Sequence, residues 1–239
     1  MHRPVGYRFV RWNWKTAFLP ISGFLILLGA VVHRYRDHPY VVGYVSLAFR
    51  ETLGRLVSDG QRVAAILTAV SVMIVMESAI MFLPTFLKVS KGTTPTMAAR
   101  AFGLFFVVGL VLDPVAGWLG DLVGTRPIAI ASITLTAAGL TVLVVGDGLM
   151  LLVGILALGG GIGGFWPAFN ALLMTVLSSG GRDSEYGAAK TIWIAVGSVG
   201  PGIVGFVGGS YGYDAAFGLL DVIAGLAIGT LLVGARGRA

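Results

Sequence analysis

Few side chains in this sequence could do chemistry in an apolar surrounding, and they lie far apart along the chain. Glu77 sits in the middle of "MIVMESAIMF". An isolated charge in such a run is unfavourable unless it is paired or neutralised. Glu77 therefore reads in two ways: a protonatable group for proton coupling or solute binding, or a structural carboxyl bonded to a neighbouring helix. Asp113 precedes Pro114. The proline frees a backbone carbonyl and weakens the helix locally, which makes Asp113 either a gating position or a polar packing contact. Trp166, Pro167 and Asn170 follow Gly159, Gly160, Gly161, Gly163 and Gly164. The glycines permit close packing and bending. Trp166 and Asn170 then offer a stacking and hydrogen-bonding surface to a solute, or simply pack helix on helix, with a lipid-facing ring as the other option for Trp166. Lys190 lies just inside an apolar run; an anion contact is one option, but its depth suits snorkelling to the interface, and Asp221 snorkels or pairs.

Several chemistries are excluded. The chain has no cysteine, so disulfides, thiolate metal sites and nucleophilic thiols are out. His2, His33 and His38 all lie near the N-terminal end, and none falls inside a long apolar run. No zinc or haem site is expected, and no cofactor. Intramembrane enzymes need a Ser–His pair, an Asp pair or metal ligands; no histidine lies in any apolar run, and no Gly-x-Ser-x-Gly or His-Glu-x-x-His occurs, so the expectation is a protein that is not an enzyme. The formal charge is +6. Its basic residues are scattered at the ends of apolar runs, which suits anionic lipid headgroups better than nucleic acid.

The elements that must position these residues are membrane helices. The composition is 56% hydrophobic and 12% charged, with a mean hydropathy of +0.88. Apolar runs of about 18 residues or more recur, which a soluble core helix rarely needs. Seven spans are predicted, over 16–32, 63–89, 98–122, 127–145, 149–177, 187–209 and 213–233. Between them lie turn-forming segments such as "SKGTTPT", "GDG", "SSGGRDSE" and "GSYGYD". Thr96 and Asp214 stand where N-caps would open the following helices. The first span lacks a small-residue cleavage site, so it reads as a retained helix with Trp12 and Trp14 at its interface. In the polar stretch after it, Val45, Phe49, Leu53 and Leu56 recur at helical spacing, while Arg50, Glu51 and Arg55 point elsewhere. That is a short amphipathic helix on the membrane surface or an ordinary solvated linker.

The distribution of Lys and Arg weakly favours a cytoplasmic C-terminus. The basic N-terminus opposes this, a conflict that upstream helices would resolve.

The stretch "DPVAGWLGDLVGTRP" concentrates polar and turn residues between two apolar runs. Gly117 and Gly120 would let helices approach closely, and Gly124 would turn the chain. Asp121 would cap a helix or pair with a cation, Arg126 would supply that cation, and Pro127 would start the next helix. The expected result is a tight hairpin with a built-in ion pair. The stretch resembles the cytoplasmic loop signature of the major facilitator superfamily. Gly117, Leu119, Asp121, Gly124 and Arg126 match; Leu122 and Thr125 each replace a basic residue. In that family a degraded copy of the signature marks the C-terminal half. Residues 12–28, 82–117, 159–173 and 197–217 are similar, in that order, to the family's sixth, seventh to eighth, tenth and eleventh helices.

The resemblance implies an all-α fold, a polytopic membrane bundle of about seven helices forming half of a major facilitator fold. Its parts would be an N-terminal transmembrane helix over 1–33, a cytoplasmic linker with an amphipathic helix over 34–62, and a six-helix bundle over 63–239. The implied function is secondary active transport of a small solute by alternating access in the cell membrane, with proton coupling if Glu77 serves it. Glu77, Asp113, Trp166 and Asn170 would line the pathway; Gly117, Asp121, Gly124 and Arg126 would form the cytoplasmic gate loop. The family's cavity lies between two halves, so the expected partners are lipid, a small solute, and either an N-terminal half or a second copy of the chain. The alternative is a non-transporting membrane protein, receptor-like or an inactive remnant. A retinal protein would need a lysine in the last span, and 213–233 has none.

Overall fold

A computed structural model describes residues 19–34, 49–177 and 181–234, apart from the side chains of residues 21, 49 and 50. Trp12, Trp14 and Val45 lie outside the described residues. The described residues are all-helical, in the order α1 (Leu19–Arg34), α2 (Phe49–Val57), α3 (Gly60–Val89), α4 (Pro95–Val123), α5 (Thr125–Val145), α6 (Leu149–Val176), α7 (Arg182–Gly197), α8 (Gly200–Tyr211) and α9 (Tyr213–Val233). Helices dominate because a chain in hydrocarbon must satisfy its backbone polar groups within each segment. The chain divides into two units, 1–46 and 47–239. In the first, α1 is an apolar helix of 16 residues ending in His33 and Arg34.

The second unit holds six segments long and apolar enough to cross a membrane, with α7 and α8 acting as one span, Arg182–Tyr211. Pro201 explains the interruption between α7 and α8: it has no N–H to give the carbonyl of Gly197. The central helices are α3 and α6. The first packs against α7, α8 and α9, the second against α4 and α5, and α5 meets α9. Taken as consecutive triplets, α3–α4–α5 and α6–α7/α8–α9, each central helix therefore leans on the flanking helices of the other triplet. Helices α3 and α6 run in opposite directions. This is the packing of two three-helix repeats of inverted topology.

Each end of the bundle is closed by a cation on a helix C-terminus, where it meets otherwise unpaired carbonyls and the negative end of the helix dipole. At one end Lys91 donates to the carbonyl of Val144 in the last turn of α5 (2.7 Å) and pairs with Asp214 (3.5 Å). At the other, Arg126 donates to the carbonyl of Leu231 in the last turn of α9 (2.7 Å). Near the first of these ends, Phe86 stacks on Phe217 with centroids 4.1 Å apart. Nearer the second, Phe165 stacks on Phe169 at 4.9 Å.

Three local expectations are corrected. Helix α4 is capped by Thr94, whose side chain accepts from the Met97 N–H, because Pro95 takes the first helical position; Thr96 lies inside the helix. Helix α9 opens at Gly212, and Asp214 sits in the first turn, paired with Lys91. The linker helix α2 does not lie free as a surface amphipath: Leu56 is fully buried in the core beside Ala65, Ala69 and Ala189.

Candidate functional site

Two cavities lie side by side along the α3–α6 pair. The first, about 250 Å³, is bounded by Met73, Met76, Trp166, Asn170, Tyr186, Lys190, Trp193 and Ile194. The second, about 300 Å³, lies between α3, α4 and α6 and takes in Met76, Phe105, Phe106, Gly109, Asp113, Gly163 and Trp166. Met76 and Trp166 belong to both, so they form the divider. The Trp166 indole N–H points at the Met76 sulfur, 3.3 Å away. Met76 is near the middle of the 30-residue α3, which places the divider near the middle of the span.

Trp166 is held by rings on two helices. Its centroid lies 5.1 Å from Phe165 and 5.9 Å from Trp193. It is half-buried, packed among rings rather than standing free on the helix surface. Asn170, one turn further along α6, accepts a hydrogen bond from the Tyr186 hydroxyl (3.3 Å). The Lys190 ammonium lies 5.8 Å above the Tyr186 ring. Lys190 thus lines a cavity rather than only snorkelling. Asp113 lines the other cavity, and among the described residues no hydrogen bond or ion pair reaches it. Glu77 is half-buried and likewise has no such partner among the described residues. It borders neither cavity; it lies one position past Met76, on the side of α3 turned toward α7 and α8. The structure therefore joins Trp166 with Asn170, and Trp166 with Asp113, but leaves Glu77 apart.

The α4–α5 loop departs from the expected ion pair. Gly124, at φ +99°, ends α4 and opens α5 in a conformation that L side chains rarely adopt. Pro127 falls within the first turn of α5, where its missing N–H leaves no gap. Arg126, however, turns away to Leu231, and no salt bridge joins it to Asp121. Asp121 is exposed in the last turn of α4, a position where the helix dipole disfavours an acid. Gly117 is not a close-approach glycine: a Cβ there would meet Pro167 at an ordinary 3.8 Å. The close contact lies deeper, where a Cβ on Gly163 would stand 2.5 Å from the backbone of Gly109. Asp221 pairs, accepting from the Thr141 hydroxyl (2.6 Å).

Sequence reasoning missed one residue altogether. Glu185, in the first turn of α7, has a fully buried side chain. Its carboxylate meets Arg55 of α2 at 3.5 Å and Arg62 of α3 at 3.6 Å. The spacing of Arg55 and Arg62, seven residues apart, was the available signal: Arg62 reaches back to the Arg55 carbonyl (2.9 Å), presenting both cations to one acid. This pairing ties α2 to the end of the helix that carries Tyr186 and Lys190.

A family model of the Major Facilitator Superfamily matches residues 64–238. Among solved structures, the fold is similar to the major facilitator transporter FucP in an outward conformation, with a TM-score of 0.68, 19% identity, and 94% of this chain covered against 54% of FucP. It is likewise similar to a single-site variant of FucP, the E. coli fucose:proton symporter, with a TM-score of 0.67, 18% identity, and coverage of 94% and 55%. No curated protein matches the chain in sequence. The fold and cavities define a multi-pass membrane protein of a transporter family. The chain belongs to the major facilitator superfamily, and it spans about half the length of the solved transporters it matches.

Proposed function

We propose that the chain forms one half of a secondary transporter that moves a small solute by alternating access, with Glu77 as the proton-coupling carboxylate. The observation that carries this reading is the pair of cavities along α3 and α6, near mid-span, in a fold that matches half of a transporter. The second wall would be an N-terminal six-helix half or a second copy of the chain. In this reading 1–33 is a transmembrane helix, 34–62 a linker and 63–239 the bundle. The α2 end faces the cytoplasm of a cell membrane, C-terminus included; Arg55, Arg62, Arg126 and Arg182 at that end support the orientation. Gly117, Asp121, Gly124 and Arg126 form the gate loop, with the exposed Asp121 available to a helix end of the opposing half.

The supporting facts for Glu77 are its depth and its lack of a described partner. FucP is a fucose:proton symporter, which makes proton coupling the natural first test. In the full transport assembly, Glu77→Gln is expected to abolish uptake driven by a pH gradient and to spare solute exchange, which needs no net proton movement. Equal loss of both activities at normal expression would assign Glu77 a structural or general binding role.

A further inference from the structure

The two cavities differ in chemistry as well as in position. The α7-side cavity holds no carboxylate. Its one charged group and its N–H groups are donors. Asn170 accepts from the Tyr186 hydroxyl and keeps both amide hydrogens to donate, while the lone pairs left on these two oxygens are neutral acceptors. The Trp166 N–H rests on a thioether, a weak acceptor that a better one would displace. Lys190 brings three donors and a full charge, and among the described residues no carboxylate pairs with it; its described neighbour is the Tyr186 ring. A cavity with a lysine and no carboxylate suits an acceptor-rich anion, and a carboxylate meets an ammonium and an amide with short charge-assisted bonds. The rest of the wall is indole and methionine. Thioether side chains adapt to flat or irregular apolar bodies, and an indole face stacks on a ring. The volume, about 250 Å³, lies below the roughly 300–1,000 Å³ of drug-sized sites, so the body is small. Across the divider, the α4-side cavity offers an acid, Asp113, and no cation.

We propose that the cavity between α6 and α7 binds a small monocyclic organic acid, with Lys190 holding the carboxylate and Trp166 stacking on the ring. This rests on the transporter reading for its purpose but not for its test. The test uses three probes of one shape and different charge: benzoate, benzyl alcohol and benzylamine, titrated by calorimetry into the chain held in lipid nanodiscs. Benzoate is expected to bind saturably and more tightly than the other two. Lys190→Gln, on an exposed side chain, is expected to weaken benzoate about tenfold or more and to leave benzyl alcohol unchanged, while Lys190→Arg retains benzoate. Equal binding of benzyl alcohol, tighter binding of benzylamine, an unaffected Lys190→Gln variant, or no saturable benzoate binding would each overturn the proposal. A preference for benzylamine would leave the transporter reading standing. Benzoate that binds but never crosses a membrane in the full assembly would overturn transport and leave the acid class intact.

Discussion

The α4-side and α7-side cavities share a divider and two helices, yet they are built by opposite means. On the α4 side, backbone meets backbone: Gly163 and Gly159 of α6 lie against Gly109 and Phe105 of α4 with no room for a Cβ. The cavity left there is apolar except for one acid, Asp113. On the α7 side, rings keep the helices apart: Trp166, Trp193 and Tyr186 lie at centroid separations near 6 Å, and the cavity there takes in Lys190 and no carboxylate. Related positions of two inverted repeats have thus become one side with backbone-to-backbone helix contact and an acid, and one side with ring-spaced helices and a lysine. Lipid tails are as apolar as these side chains, so burial alone gives helices little reason to associate; packing quality decides. Glycine and tryptophan are two answers to that single requirement.

The comparison breaks most severely at the divider. Trp166→Ala should merge the cavities and destabilise the chain by about 3 kcal/mol, the range for removing a large packed aromatic, read as a lowered Tm in detergent. Trp166→Phe, which keeps a ring, should retain most of that stability. An unchanged Tm in the alanine variant would mean that the divider holds nothing together.

The glycine seam is the next test. Gly163→Ala places a methyl against backbone, which cannot give way as a side chain can, and should cost about 1–3 kcal/mol. Gly187→Ala on α7, with nothing within 4 Å, should stay within about 0.5 kcal/mol. Equal thermal shifts for the two variants would show that the α4–α6 contact is looser than described. The smallest effect is expected at Asp113. With no described partner, Asp113→Asn should leave thermal stability within about 0.5 kcal/mol. A loss above 1 kcal/mol would reveal a structural partner and remove the asymmetry of charge between the two cavities.

Much of this was legible from local pattern. Six predicted spans from 63 to 233 coincide with the described helices to within a few residues, because run length and apolarity are properties of each segment alone. Gly124 was readable as a turn for the same reason: φ +99° is a local demand that glycine meets. The caps at Thr96 and Asp214 were displaced by two residues because Pro95 and Gly212 control where those helices open.

Charge partners were not legible. Arg126 looked local to Asp121, five residues away in sequence, but it reaches Leu231 instead. Glu185 looked like a loop acid until α2 and α3 brought Arg55 and Arg62 to it. Lys190 looked like a snorkelling cation until Tyr186 and Trp166 formed a cavity around it. By itself, the sequence determined the helices and their approximate ends, which depend on neighbours within one segment, and the family resemblance, which depends on the order of those segments. Only the tertiary structure decided which polar groups meet and which remain free. In a bundle of inverted repeats, each central helix packs against the other triplet, so those partners come from distant parts of the chain.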